Sequence, residues 1–195
     1  MKPYSLRLVP LVAAVLLTSA CSSLNPFSSS AAKPAKLVDF TQSAELASTW
    51  SANIGDAGPY RFQPAVWSDA VYAAGHDGEV ARFEGGRPVW RTDTDTDLSA
   101  GVGTDGRLAV VAATDGAVIA LDAATGSERW RADVGAEVLA PPAVSLDFVV
   151  VRASDNRLIA LDARDGSRRW VYQRNNPPLA LRSFASVIIE GPVVL

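Results

Sequence analysis

Apolar residues along this chain gather in runs too short for helices. Examples are LAVVAA (108–113), AVIALDA (117–123), FVVVRA (148–153) and RLIALDA (157–163). Runs of four to eight residues bounded by turn formers predict strands. Asp77-Gly78, Asp115-Gly116 and Asp155-Asn156 supply the turns, because these residues tolerate the positive φ of tight hairpins. WSANIG (50–55) and WRADVG (130–135) alternate apolar with polar positions, the pattern of a half-buried strand. QPAVW (63–67) and PPAV (141–144) predict a further strand at the head of two units.

The pattern repeats. Trp50, Trp90, Trp130 and Trp170 stand 40 residues apart, and only Trp67 falls outside the series. ALDAATGSERW (120–130) returns as ALDARDGSRRW (160–170). Four short antiparallel strands in each 40-residue unit, with no helical periodicity after the leader, predict an all-β fold, a β-propeller. The blade units are 51–90, 91–130 and 131–170, with the start of another at 171–195. In the first unit Gly85-Gly86 replaces a longer turn, yet the tryptophan keeps its place. Compensated loop lengths point to a structural unit, with each tryptophan packing between neighbouring sheets. An aromatic ring buries roughly 150–250 Å² in such a place. An open propeller leaves unpaired edges, so the chain reads as the N-terminal part of a longer one.

Residues 1–20 read as a signal peptide: Lys2 and Arg7 precede the ten-residue apolar run LVPLVAAVLL (8–17), too short to span a bilayer. Thr18-Ser19-Ala20-Cys21 resembles the lipobox of bacterial lipoproteins, although Thr18 stands where that motif usually has leucine. The resemblance implies cleavage before Cys21 and acylation of its thiol and new amine. Burying acyl chains contributes about 0.8 kcal/mol per methylene, so three chains make a durable anchor. Ser22, in place of the aspartate that retains lipoproteins at the inner membrane, implies the periplasmic face of the outer membrane. Residues 21–40, rich in Ser, Ala and Pro, read as the lipidated cysteine and a tether, and 41–195 as the partial propeller.

Charge and chemistry-bearing residues narrow the function. A net charge of −3 argues against nucleic acid as the main partner. A single cysteine excludes an intrachain disulfide, and a single histidine, His76, excludes a histidine-built metal site or triad. His76 is expected on a surface turn. GVGTDG (101–106) matches a dinucleotide-loop string, but a strand follows it where a helix is required. DTDTD (93–97) begins like a calcium loop, yet Leu98 and Thr104 occupy the positions of its glycine and bidentate glutamate. It reads as a solvated loop between blades. Arg152, Arg157, Arg164, Arg168, Arg169, Arg174 and Arg182 make the last quarter basic, mostly as solvent-facing strand residues, with a share open to an acidic partner. No catalytic residue, metal site or cofactor is assigned.

The A-L-D-A-x-x-G-x-x-x-W unit resembles the pyrroloquinoline quinone propeller superfamily, which holds quinoprotein dehydrogenases and the BamB family of outer-membrane assembly lipoproteins. The lipobox with Ser22 and the short tether favour the latter. So does PPLALRSFASV (177–187), which resembles the BamB loop carrying Leu-x-Leu-Arg, here Leu179, Leu181 and Arg182. That resemblance implies an eight-bladed, cofactor-free, non-enzymatic subunit of the BAM complex, anchored to the outer membrane. It would scaffold BamA through its POTRA domains and assist insertion of β-barrel proteins, with nascent outer-membrane proteins as further partners. From the residues alone, two leucines and an arginine after a Pro pair make an apolar anchor with a charged fork. Equally, the leucines could open the fourth blade's inner strand and be core. The alternatives are a dehydrogenase-like propeller, which lacks here the adjacent cysteines common in that group, and a lipoprotein propeller with another envelope partner.

Overall fold

The computed structural model describes residues 35–39, 43–173 and 184–195. Two compact units divide the chain, Met1–Ala47 and Ser48–Leu195. In the first, the described residues are exposed and outside any helix or strand.

The second unit is built of antiparallel meanders, and no helix occurs among the described residues. The first sheet joins β1 (Ala65–Trp67), β2 (Ala70–Ala74), β3 (Glu79–Glu84) and β4 (Arg87–Asp93) in chain order. The second joins β5 (Leu98–Thr104), β6 (Leu108–Ala113), β7 (Ala117–Asp122) and β8 (Glu128–Asp133). The third joins β9 (Ala143–Val144), β10 (Phe148–Arg152), β11 (Arg157–Asp162) and β12 (Arg168–Gln173). A hairpin of β13 (Ile189–Glu190) and β14 (Val193–Val194) follows. These are the four-stranded blades of a partial propeller.

Period-two geometry explains why the middle of each blade is apolar throughout. Successive strand residues point to opposite faces, and the second sheet is covered on both. Ala109, Val111, Ile119 and Leu121 pack with Tyr72, Ala74 and Val80 of the first sheet. Their neighbours Leu108, Val110, Val118 and Ala120 pack with Val149, Val151, Ile159 and Leu161 of the third. One face of β6 alone would need only alternate apolar residues; two covered faces need all six, and all six are buried. A one-residue register shift just before the turn into the outer strand recurs in all three sheets, at Arg82/Phe83, Ala120/Leu121 and Ala160/Leu161.

Three tryptophans of the repeat lie against a glycine of the following unit. A Cβ built on Gly86 would come 2.7 Å from Trp50, one on Gly126 2.7 Å from Trp90, and one on Gly166 2.6 Å from Trp130. All three glycines have positive φ, so the position demands glycine twice over. The Trp90 indole N–H donates to the Ala123 carbonyl at 3.1 Å, and that of Trp130 to the Ala163 carbonyl at 3.0 Å. Trp50 instead stacks on Phe83, with ring centroids 5.9 Å apart. Trp170 is partly exposed.

Two readings of the sequence change. WSANIG is not a strand: no strand among the described residues precedes it, so its backbone has no ladder to join. GVGT, by contrast, lies inside β5 and is largely buried. A Cβ on Gly101 would meet the Gln63 carbonyl oxygen at 2.5 Å, and one on Gly103 the Pro142 oxygen at 1.8 Å. The glycines are there because inner strands of adjacent blades approach through their backbones.

The repeated aspartate of A-L-D-A organises the turn into the outer strand. Asp122 accepts from the Ala124 and Thr125 backbone N–H groups and from Arg129. Asp162, almost wholly buried, accepts from the Arg164 N–H and from the Arg164 and Arg169 guanidiniums. The Arg164 side chain, then its backbone N–H, hold the Asp162 carboxyl far below the usual carboxylate range, outweighing burial, which acts to raise it. A carboxyl depressed in the fold stabilises above its unfolded value and loses that contribution as protons bind the folded form. Stability should therefore fall progressively below about pH 4. In Asp162→Asn the acid limb of urea midpoint against pH should be shallower, and stability at neutral pH lower. An unchanged acid limb would remove Asp162 from this role.

Candidate interaction surface

The outer strands connect to the next blade at the sheet ends that also carry the β2–β3, β6–β7 and β10–β11 turns. The first two run over 94–97 and 134–142; after β12 the description stops at Gln173 and resumes at Phe184. Gln173, the last residue of β12, pairs with Arg157, beside the Asp155-Asn156 turn. Leu179, Leu181 and Arg182 lie outside the described residues, as does Cys21. Where the description resumes, Phe184 lies against the Arg61 guanidinium, 5.1 Å from its ring centre.

Around that end, polar contacts tie the segment before β1, the β2–β3 turn and β5 to one another and to the second connection. The Tyr60 hydroxyl donates to Glu137 at 2.9 Å, and its ring lies 5.1 Å from His76. His76 is half-buried rather than a surface residue, with Nδ1 2.7 Å from the Leu98 carbonyl and its backbone N–H donating to Asp56. Buried Ser99 donates to the Val138 carbonyl at 2.7 Å, tying β5 to the second connection. Sequence periodicity does not expose this set, because Tyr60, Ser99 and Glu137 hold unrelated places in their units.

The same end is rich in carboxylates, and most of them shape turns. Asp56, Asp93, Asp115, Asp133 and Asp155 each accept a backbone N–H two residues on. No group of three or more metal-ligating side chains occurs among the described residues. Several basic residues of the last quarter are engaged internally, while Arg168 is exposed. Arg157 pairs with Asp155 and donates to the Val134 carbonyl, and Arg164 and Arg169 share Asp162.

The protein-family model described as outer membrane protein assembly factor BamB matches residues 76–195, well over half of the chain. The chain belongs to the BamB family. A BamB from Burkholderia pseudomallei is 41% identical over 115 residues, covering 58% of this chain and 29% of the relative. The crystal structure of BamB from Moraxella catarrhalis superposes with a TM-score of 0.65 at 31% identity, covering 68% of this chain and 41% of that one. This chain thus matches well under half the length of either BamB. A quinohemoprotein alcohol dehydrogenase from Pseudomonas putida shares the fold alone, at 21% identity and a TM-score of 0.51 over 64% of this chain and 22% of that one.

Proposed function

We propose that this propeller serves as a non-enzymatic, lipid-anchored subunit of the outer-membrane β-barrel assembly complex. It sits on the periplasmic face, held by acylated Cys21, and scaffolds BamA while β-barrel proteins are inserted. The observation that carries this reading is the BamB family match across 76–195, a span that includes Leu179, Leu181 and Arg182. Leu179 and Leu181 supply the apolar anchor. Arg182 supplies a planar fork suited to a carboxylate on the POTRA domains.

The test is co-purification of BamA with the Leu179→Ala, Arg182→Ala double variant. Truncating an anchor and a charged contact together should weaken binding by ten-fold or more, about 1.4 kcal/mol or above. Thermal unfolding should stay as in wild type, because neither residue belongs to the three described blades. Undiminished BamA recovery would remove this loop from the interface.

A further inference from the structure

The three blades are near-copies, so each inter-blade cleft is a control for the other. At the end opposite the long connections, a cleft of about 200 Å³ lies between the first and second sheets. Its counterpart between the second and third sheets measures about 520 Å³. Strand pairing sets the equivalence: Ala70 faces Glu84 as Leu108 faces Asp122 and Phe148 faces Asp162. Trp67, Tyr72 and Arg82 fill the first cleft. In the second sheet their places are taken by Asp105, Val110 and Ala120, all smaller, and the space opens.

The rim changes in the same direction. In the first cleft, Asp69, Val89 and Ala124 occupy the positions that become Arg107, Arg129 and Arg164 in the second. Those three arginines line the larger cleft together with Gly106, Leu146 and Asp122. Each guanidinium is already held by a carboxylate. Arg107 pairs with Asp105 and donates to the Leu146 carbonyl at 3.0 Å, Arg129 pairs with Asp122, and Arg164 with Asp162. In all three the engaged nitrogens are Nε and Nη2, and Nη1 has no partner among the described residues. These pairs orient the side chains toward the cleft rim and leave donors over. A single carboxylate would engage one such fork, whereas the several oxygens of a phosphate can be shared among three. The volume is that of a small-molecule site rather than a flat protein contact.

We infer that the cleft between the second and third blades, rimmed by Arg107, Arg129 and Arg164, binds a phosphate group. Its source is either a soluble phosphomonoester or the head group of an anionic phospholipid, and the same three forks read both.

Calorimetric titration of the intact protein at constant ionic strength separates the sources. Its arms are inorganic phosphate, glycerol 1-phosphate, and monomeric dihexanoyl-phosphatidylglycerol with dihexanoyl-phosphatidylcholine as control. Saturable binding of either of the first two identifies a soluble phosphate site; binding of the phosphatidylglycerol alone identifies a lipid head-group site. In both cases Arg129→Gln with Arg164→Gln should weaken binding at least ten-fold. The equally charge-reduced pair Arg87→Gln with Arg91→Gln, on the first sheet, should leave it unchanged. Circular dichroism on each variant confirms the fold, and Arg164→Gln alone, at a highly exposed side chain, should still weaken binding several-fold. Absence of saturable binding in every arm, or equal weakening by both double variants, would overturn the assignment.

Discussion

Trp130→Ala should lower the stability of the blades by about 3–5 kcal/mol, the range for truncating a large buried aromatic side chain. The ring is 7% exposed and lies between its own sheet and the Gly166 turn of the next, so its loss opens a cavity across two blades at once. Urea unfolding should show the loss as a lower midpoint. Trp130→Phe keeps most of the apolar area but leaves the Ala163 carbonyl without its indole donor, and should cost about 1–3 kcal/mol. Gly166→Ala attacks the contact from the other side, because its methyl would lie 2.6 Å from the ring at a φ of +73°. In Trp130→Ala, Gly166→Ala together, the costs should sum to less than the two singles, since the clash disappears with the ring. Strict additivity would show that indole and glycine do not act as one contact.

Gly103→Ala should cost about 3 kcal/mol, at the upper end of the range for forcing atoms into packed space. Its φ is ordinary, so the penalty is steric: the new methyl would fall 1.8 Å from the Pro142 carbonyl oxygen. A side chain could rotate away, but backbone cannot without shifting β9 or β5. Gly85→Ala supplies the contrast. That glycine has a φ of +53° and nothing near its would-be Cβ, so only the left-handed conformation is penalised, by about 1–2 kcal/mol. Comparable urea midpoints for the two variants would mean that the inner strands yield more readily than their spacing suggests.

How far the fold could be read from the chain depends on how local each signal is. The strands of the second and third blades were legible because alternation and turn residues lie within a dozen positions of each other. LAVVAA and AVIALDA state their strands outright. The tryptophan period announced a repeat, yet the glycine that receives each indole stands in the next sheet and looks like an ordinary turn residue. GVGTDG was legible as something other than a phosphate loop. That its first two glycines mark backbone-to-backbone approach needed the neighbouring strands in place. His76 looked like a surface turn residue because Tyr60 and the Leu98 carbonyl, which bury and bind it, are brought in by other segments. The Cys21 and Leu179-x-Leu181-Arg182 assignments come from resemblance to a family, and no periodicity in the chain would have singled them out. The arginine cleft is the reverse case. It is visible only by overlaying blades and asking where they differ.

One property of the tryptophan contact concerns time rather than energy. Thirty-six positions separate Trp50 from Gly86, Trp90 from Gly126 and Trp130 from Gly166, always in the same direction along the chain. A chain delivered N-terminus first therefore presents each indole before the surface that covers it exists. The uncovered ring passes from blade to blade as the chain lengthens. Each new blade shields the sticky patch left by its predecessor and exposes one of its own.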